Sequence, residues 1–376
     1  MTDRTIAPAI VDAVDLDVNL LPVNKYLLRN KVPLYFLREG AEEVVNVEWV
    51  FNAGNLYEGQ DNVSLATCNL LKNGTSTMSA YRLTEKLEYY GAFFQVSFGH
   101  ETITLSLSCL FRHLHNLLPI VREIICDSIF SNEELEIYKQ NSLQRLAVNK
   151  QKSEYVADNL MNEVIFGATH PYARSQSEEN IAALTRDVIL SFFKKFIANG
   201  YCRIFAVGEL PLDFESSMDL LFGDLNFKSD LEVPLININE SPEGIISRVV
   251  DEKGIQGAVR MCRPFPGRNH PDFMAVSVLN TLFGGYFGSR LMNNIREEKG
   301  YTYGIFSYIQ SHREAGAWLI TTEAGKDVCA ATIKEVYNEM NILFNELVDM
   351  EELSLVKNYL LGIYLSQIDG PFKIMA

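Results

Sequence analysis

The sequence predicts an α+β protein built from two duplicated domains, each an antiparallel-rich β-sheet with helices packed on one face. Two observations support this fold class. The same order of strand, helix, short helix, glycine, strand pair and long helix occurs twice, at an offset of about 210 to 220 residues. The strands also alternate apolar and polar side chains, as in Ile103, Leu105 and Leu107, which is typical of a sheet with one covered face.

Each copy begins with a strand that is followed by a glycine-containing loop. These segments are NVEWVFNAGNLYEG at 46–59 and AVRMCRPFPGRNHPD at 258–272. An apolar helical stretch follows each strand: SLATCNLLKNGT at 64–75 and FMAVSVLNTLFGG at 273–285. The matching order makes residues 64–75 and 273–285 equivalent parts of one repeated unit.

A hairpin and a long helix complete each copy. The hairpin segments, 83–109 and 291–324, each contain a short helix, a glycine, a strand, a polar turn and a second strand. The helices open with SNEELEIYKQN at 131–141 and DMEELSLVKNY at 349–359, where an N-cap residue precedes early acidic residues. The first long helix is predicted to run as far as residue 166.

The duplication gives a domain division. A length of 376 residues is too great for one ordinary core. We predict a first domain at 1–222, a polar linker at 223–244 and a second domain at 245–376. The second copy has fewer residues after its hairpin than the first, so we expect the natural protein to continue beyond residue 376 with further helices and a strand.

Composition excludes several classes of function. A net charge of -15 without a Lys/Arg cluster argues against nucleic-acid partners. No apolar run approaches the roughly 20 residues that cross a bilayer, and the N-terminal stretch lacks the basic and apolar regions of a signal peptide. We therefore expect a cytoplasmic protein without a membrane partner. The six scattered cysteines contain no C-x-x-C and are expected to be buried, reduced and free of metal.

The stretch SRLMNNIREEKGYTYGIFSY, at 289–308, places Arg296 near the end of a short helical pattern and Tyr303 in the strand that follows Gly300. From these residues alone the favoured interpretation is structural: the arginine complements the helix dipole and the tyrosine fills core. The glycines of the preceding LFGGYFGSRL segment are expected to permit a close backbone approach before this helix.

Three segments together resemble the pitrilysin or insulinase-like family of zinc metallopeptidases. They are LFGGYFGSRL at 282–291, IREEKGYTYG at 295–304 and FGATHPYARS at 166–175. The similarity covers essentially the whole chain and is to the two-domain type that includes mitochondrial processing peptidase, with its LuxS-like metalloenzyme fold. The resemblance implies that Arg296 and Tyr303 reach substrate beside the metal site, and so favours a substrate-binding role for both.

The family's zinc site is a His-x-x-Glu-His helix, in which two histidines on one face bind the metal and the glutamate acts as general base. The corresponding helix here is 64–75, which contains neither His nor Glu. Its central residues cannot assemble a hydrolytic zinc site: Thr67, Cys68, Asn69, Leu70 and Leu71. Where the family has a third, acidic ligand, this sequence offers Gln144 or a neighbour.

The six histidines do not supply a substitute site. His113 and His115 are two apart and would diverge on a helix. His100 falls in a predicted hairpin turn, while the others lie in loops: His170, His270 and His312. We expect these four to be ordinary surface residues.

Two functional hypotheses follow from the resemblance. The first is a non-catalytic subunit of a heterodimeric zinc peptidase, which binds no cofactor itself and contributes Arg296 and Tyr303 to the zinc-bearing active site of a homologous partner. Its other expected partners are unfolded or short peptides, and alone it is expected to be inactive and able to self-associate as a dimer. The second is a structural or peptide-holding scaffold with no hydrolytic partner, in which Arg296 and Tyr303 are relics of packing.

Overall fold

The computed structural model describes residues 20–40, 42–228, 230–231, 234, 247, 254–265, 267–313 and 315–375. These residues form a six-stranded and a three-stranded sheet. The strands of the first sheet are β1 (Asn24–Leu27), β2 (Pro33–Leu37), β3 (Val44–Phe51), β4 (Phe93–Phe98), β5 (Ile103–Leu110) and β6 (Cys202–Gly208). Those of the second sheet are β7 (Gln256–Pro264), β8 (Thr302–Ser311) and β9 (Gly316–Gly325).

The second sheet repeats the order of three strands of the first. The first has the order β1-β2-β6-β3-β5-β4, in which only β2 and β6 pair in parallel, and the second has the order β7-β9-β8. The β7-β9-β8 group therefore repeats the β3-β5-β4 group about 210 residues later. The structure confirms the predicted α+β class with two copies of an antiparallel-rich sheet.

Eight α-helices accompany the first sheet within the described residues: α1 (Val63–Leu70), α2 (Ala80–Tyr89), α3 (Leu114–Asp127), α4 (Asn132–Asn149), α5 (Ser153–Phe166), α6 (Glu178–Ala182), α7 (Arg186–Phe193) and α8 (Phe214–Phe222). A π-helical turn, Lys194–Ala198, extends α7. Around the second sheet are α9 (Phe273–Asn280), α10 (Cys329–Asn345) and α11 (Met350–Gln367). Helix α12 (Pro371–Met375) follows α11 and lies against β6 of the first sheet. Two π-helical segments, Thr281–Gly285 and Met292–Glu298, lie between α9 and β8.

The alternation along β3 explains why helices cover one face of the first sheet. Val45, Val47, Trp49 and Phe51 are completely buried, whereas the residues between them are half-buried on the opposite face. The ring of Trp49 packs 5.3 Å from the ring of Phe222 in α8. Burial of such aromatic surface is the main force that holds helices on a sheet.

The predicted N-caps of both long helices are confirmed. The Ser131 hydroxyl accepts a hydrogen bond from the Glu134 amide, and the Asp349 carboxylate accepts one from the Glu351 amide, each at 3.3 Å. The prediction of one continuous helix as far as residue 166 was wrong. The helix ends at Asn149, and α5 starts at Ser153 and packs against β7 of the second sheet.

The domain boundary remains a prediction. Most of the proposed linker, 223–244, lies outside the described residues. At its start, Phe227 is buried and its ring lies 5.8 Å from the ring of Phe51 in the first sheet. No helix within the described residues is both long enough and apolar enough to span a membrane.

Candidate functional site

Helix α1 occupies the place that the resemblance gives to a zinc-binding helix. Glu58, whose side chain is 1% exposed, holds its N-terminus. The Glu58 carboxylate accepts hydrogen bonds from the amides of Asn62 at 3.2 Å and Ser64 at 2.9 Å, and Arg174 approaches it to 3.8 Å. Burial raises the pKa of Glu58, although these hydrogen bonds and Arg174 act in the opposite direction. This carboxylate is therefore used to cap the helix.

The five central residues of the region lie in the core or form hydrogen bonds within the helix. The Thr67 hydroxyl is buried and donates to the Val63 carbonyl at 2.7 Å, while the exposed Asn69 amide donates to the Leu65 carbonyl at 2.8 Å. Leu70 and Leu71 lie in the main core. None of these four side chains can serve as a good ligand for Zn²⁺, which binds Cys, His, Asp and Glu.

Cys68 is the one potential metal ligand among the five. It is buried, and burial raises the pKa of its thiol to about 12, with Lys72 lowering it in part. The thiolate that would bind a metal is therefore strongly disfavoured. On the facing helix α4, Tyr138 and Ser142 are buried and Gln144 is exposed. These residues do not fit a zinc ion, and within the described residues no group of three or more His, Cys, Asp or Glu side chains could hold a metal.

Arg296 lies on the π-helical segment Met292–Glu298. This segment follows Gly284, which lies close to β8. A Cβ atom on Gly284 would lie 2.7 Å from the Ser307 Cβ and 2.9 Å from a methyl of Leu291, so this position accepts no larger residue without a shift. The expectation of a tight approach in the LFGG segment is confirmed. The guanidinium of Arg296 lies 4.6 Å from the centre of the Phe287 ring and forms an ion pair with Glu297.

Tyr303 lies at an irregularity in the pairing of β8 with β9. The register shifts between Thr302 and Ile305, and the Thr302 hydroxyl accepts hydrogen bonds from the Gly304 amide at 3.1 Å and the Thr322 hydroxyl at 2.9 Å. A bulge of this kind redirects side chains, and Tyr303 is 90% exposed while Ile305 is completely buried. The expectation that Tyr303 fills core was wrong.

Arg296 and Tyr303 lie on consecutive elements, and no hydrogen bond or ring contact is found between these two described side chains. Gly300, at φ +67°, ends the helical segment. The Tyr301 amide donates a hydrogen bond to the Ile295 carbonyl at 3.0 Å. Arg296 is partly exposed, with 31% of its side chain open to solvent. Both side chains are therefore presented to solvent near one end of the second sheet, and we name them the Arg/Tyr pair.

Sequence reasoning missed a histidine cluster between the domains, and the surface prediction for three of the four loop histidines was wrong. His170 is 5% exposed, and His100 and His312 are half-buried. The His100 and His312 rings lie 5.0 Å apart, and the ring of Tyr172 contacts all three imidazoles. Glu101 links the domains at the same place by accepting hydrogen bonds from the Tyr172 hydroxyl at 2.8 Å and the Arg313 amide at 2.6 Å.

Ion pairs also connect the two domains. Arg260 on β7 has a side chain only 8% exposed, and it pairs with Asp158 on α5 and, at 2.9 Å, with Glu323 on β9. A small apolar core surrounds the junction: Leu56, Met161, Ile165, Phe166, Tyr172, Ala173, Ala315, Ala317 and Leu319. Helix α5 and the 167–175 loop thus attach the first domain to the second sheet.

The chain belongs to peptidase family M16. Residues 37–174 match the family model described as insulinase (peptidase family M16), and residues 183–360 match the model described as peptidase M16 inactive domain. No His-x-x-Glu-His occurs anywhere in the sequence. The description 'inactive domain' applies to the model matched by residues 183–360.

Several proteins resemble the chain along most of its length. An uncharacterized zinc protease of Rickettsia felis is 25% identical over 84% of this chain and 76% of its own. The non-peptidase homolog YmxG of Helicobacter pylori is 23% identical over 88% and 77%.

Solved structures share the fold. A peptidase M16 inactive domain from Pseudomonas fluorescens superposes with a TM-score of 0.81 at 23% identity, covering 93% of this chain and 85% of that one. A protease from Helicobacter pylori gives a TM-score of 0.80 at 16% identity, covering 95% and 88%.

Proposed function

We propose that this protein is the non-catalytic, substrate-binding subunit of a heterodimeric zinc-dependent peptidase of family M16. One observation carries the proposal: the Arg/Tyr pair is exposed, with Tyr303 90% open to solvent, while α1 offers no set of zinc ligands. A tyrosine that is exposed at a bulge covers little apolar surface, so packing within the chain does not account for its position. It is readily explained by contact with a molecule outside the chain.

The chemistry of the pair fits peptide hydrolysis at a partner's zinc. The Arg296 guanidinium can donate two parallel hydrogen bonds to a carboxylate or further bonds to a peptide carbonyl. The Tyr303 hydroxyl can donate to the oxyanion that forms on the scissile carbonyl. The zinc ion, its bound water and the general base would all belong to the partner, so no proton transfer is assigned to this chain.

The substrates we propose are unfolded or short peptides that add as a strand to an open sheet edge. Within the described residues, β1 and β4 are the edge strands of the first sheet, and β7 and β8 are those of the second. β8 carries Tyr303, and β4 exposes 65% of Phe93 at its free edge. We also propose a cytoplasmic location, and self-association as a dimer when the partner is absent.

Reconstitution tests this function. The chain is purified alone and together with an M16 homologue from the same organism that carries His-x-x-Glu-His, and each preparation is given an unfolded peptide. We expect a heterodimer on size-exclusion chromatography, and chelator-sensitive cleavage faster than by either chain alone. A partner that is equally active without this chain would exclude the proposal and favour the scaffold alternative. Cleavage by this chain alone would exclude both.

A further inference from the structure

A cleft of about 950 Å³ lies between the two domains, at the upper end of the size range of small-molecule sites. Ile165 and Phe166, at the end of α5, form one wall. The other wall consists of described residues of the 264–271 segment after β7 and of the 311–316 turn between β8 and β9. We call it the interdomain cleft.

Two arginines, Arg268 and Arg313, line the interdomain cleft together with uncharged polar residues and histidines. None of the described lining residues is acidic. This is unusual in a chain whose net charge is -15. Asp272 lies at the edge, with its carboxylate 3.9 Å from the His270 ring, and the neighbouring Glu101 accepts from the Arg313 amide. A concave surface with one sign of charge concentrates ligands of the opposite sign.

Local hydrogen bonds hold the backbone of Arg268 and the ring of His270 in place. The Arg268 amide donates to the Ser311 hydroxyl at 3.2 Å, which ties the 264–271 segment to the β8–β9 turn. The His270 Nδ1 accepts from the Asp272 amide at 3.2 Å. The neutral ring therefore carries its proton on Nε2 and retains a hydrogen-bond donor for a ligand.

The remaining lining is apolar and partly aromatic. Phe166 lies on the first-domain side, and Pro264, Phe265 and Pro271 lie on the second-domain side. A free inorganic anion would gain nothing from these surfaces. A ligand that joins a carboxylate to an apolar body would contact both parts of the lining.

We propose that the interdomain cleft is a binding site for a carboxylate-bearing ligand with an apolar body, with Arg268 and His270 contacting the carboxylate and Phe265 and Pro271 contacting the apolar part. The site is separate from the Arg/Tyr pair. Tyr303 and Ser311 lie at opposite ends of β8, roughly 25 Å apart at the usual rise of an extended strand. The proposal therefore does not rest on the peptidase function.

Calorimetric titration of the purified chain tests the proposal with a matched pair of probes: the dipeptide N-acetyl-Leu-Phe as the free acid and as its C-terminal amide. The two probes differ in charge and hardly in shape. The amide lacks the charge-assisted hydrogen bonds of the carboxylate, so we expect the acid to bind at least about tenfold more tightly than the amide. Equal affinities would overturn the carboxylate assignment.

Two variants locate the binding site. Arg268→Gln should weaken binding of the acid by about tenfold and leave binding of the amide nearly unchanged. Arg263→Gln is the control, since Arg263 is exposed at the end of β7 and does not line the interdomain cleft. An equal loss in both variants would show non-specific attraction and overturn the proposal. Inorganic phosphate that displaces the acid at lower concentration would also overturn it, because the apolar lining would then have no role.

Discussion

The ring of Tyr172 stacks on the imidazole of His312 with 4.1 Å between the ring centroids and 23° between the planes. Tyr172 belongs to the first domain and His312 to the β8–β9 turn of the second, so this contact joins the two duplicated units. His100 and His170 pack against the same tyrosine. Three imidazoles therefore share one interdomain site, where each protonation places a cation beside the other two.

The first prediction concerns pH. Burial lowers the pKa of His312 to about 4, the nearby His100 and His170 also lower it, and Glu101 raises it. Burial likewise lowers the pKa of His100 and of His170. An unfolded histidine has a pKa of about 6.5, so below that pH the unfolded chain binds more protons than the folded chain and stability falls. We expect the His312 contribution to be complete above pH 6.5 and to be lost as the pH falls towards about 4.

Chemical denaturation at a series of pH values measures this effect. The unfolding free energy of the wild type should fall between about pH 7.5 and 5. In His312→Gln this fall should be smaller by on the order of 1–2 kcal/mol. The control is His115→Gln, because His115 is exposed on α3. Parallel pH profiles for the wild type and His312→Gln would contradict the prediction.

The second prediction concerns the ion pairs of Arg260. Replacing Arg260 with Met keeps the apolar stem but leaves Asp158 and Glu323 close together without their cation. Both carboxylates are nearly half exposed, which screens their repulsion, so we expect an unfolding free energy lower by about 1–3 kcal/mol. Thermal or urea unfolding measures it, with Arg263→Met on the same strand as the control. A loss no greater than that of the control would show that Arg260 does not stabilise the interface.

The third prediction concerns metal and thiol chemistry. We expect no stoichiometric zinc in the purified chain by elemental analysis, because α1 supplies one buried thiol and no imidazole or carboxylate ligand. We also expect iodoacetamide to modify Cys68 and Cys202 only after unfolding, since burial raises the pKa of both thiols. One tightly held zinc per chain, or rapid alkylation of native Cys68, would contradict this interpretation.

The duplicated α+β architecture could be predicted from sequence because strand alternation, glycine positions and N-caps are local patterns that occur twice. The pair His100 and His312 could not be predicted. They are 212 residues apart in numbering and meet only because the β4–β5 turn of one domain faces the β8–β9 turn of the other. The exposure of Tyr303 depends on a register shift in β8, which alternation alone does not reveal.

The last prediction separates a substrate contact from a packed helix end at the Arg/Tyr pair. Tyr303→Phe removes only a hydroxyl from a side chain that is 90% exposed, so folding and assembly should be nearly unchanged. If the hydroxyl donates to the oxyanion, the turnover number of the reconstituted heterodimer should fall by roughly 10²-fold. Tyr308→Phe, on the same strand and 42% exposed, is the matched control.

Arg296→Ala should act differently. Loss of a two-point anchor should raise KM as well as lower the turnover number, because it weakens binding of both substrate and transition state. Its control is Lys299→Ala, an exposed cation that follows the same π-helical segment. Melting temperatures are measured on the same preparations, since Arg296 also contacts Phe287 and Glu297 within the chain. A lower melting temperature with unchanged turnover in both Arg296→Ala and Tyr303→Phe would show that the pair only stabilises the fold, and would exclude its role in a partner's active site.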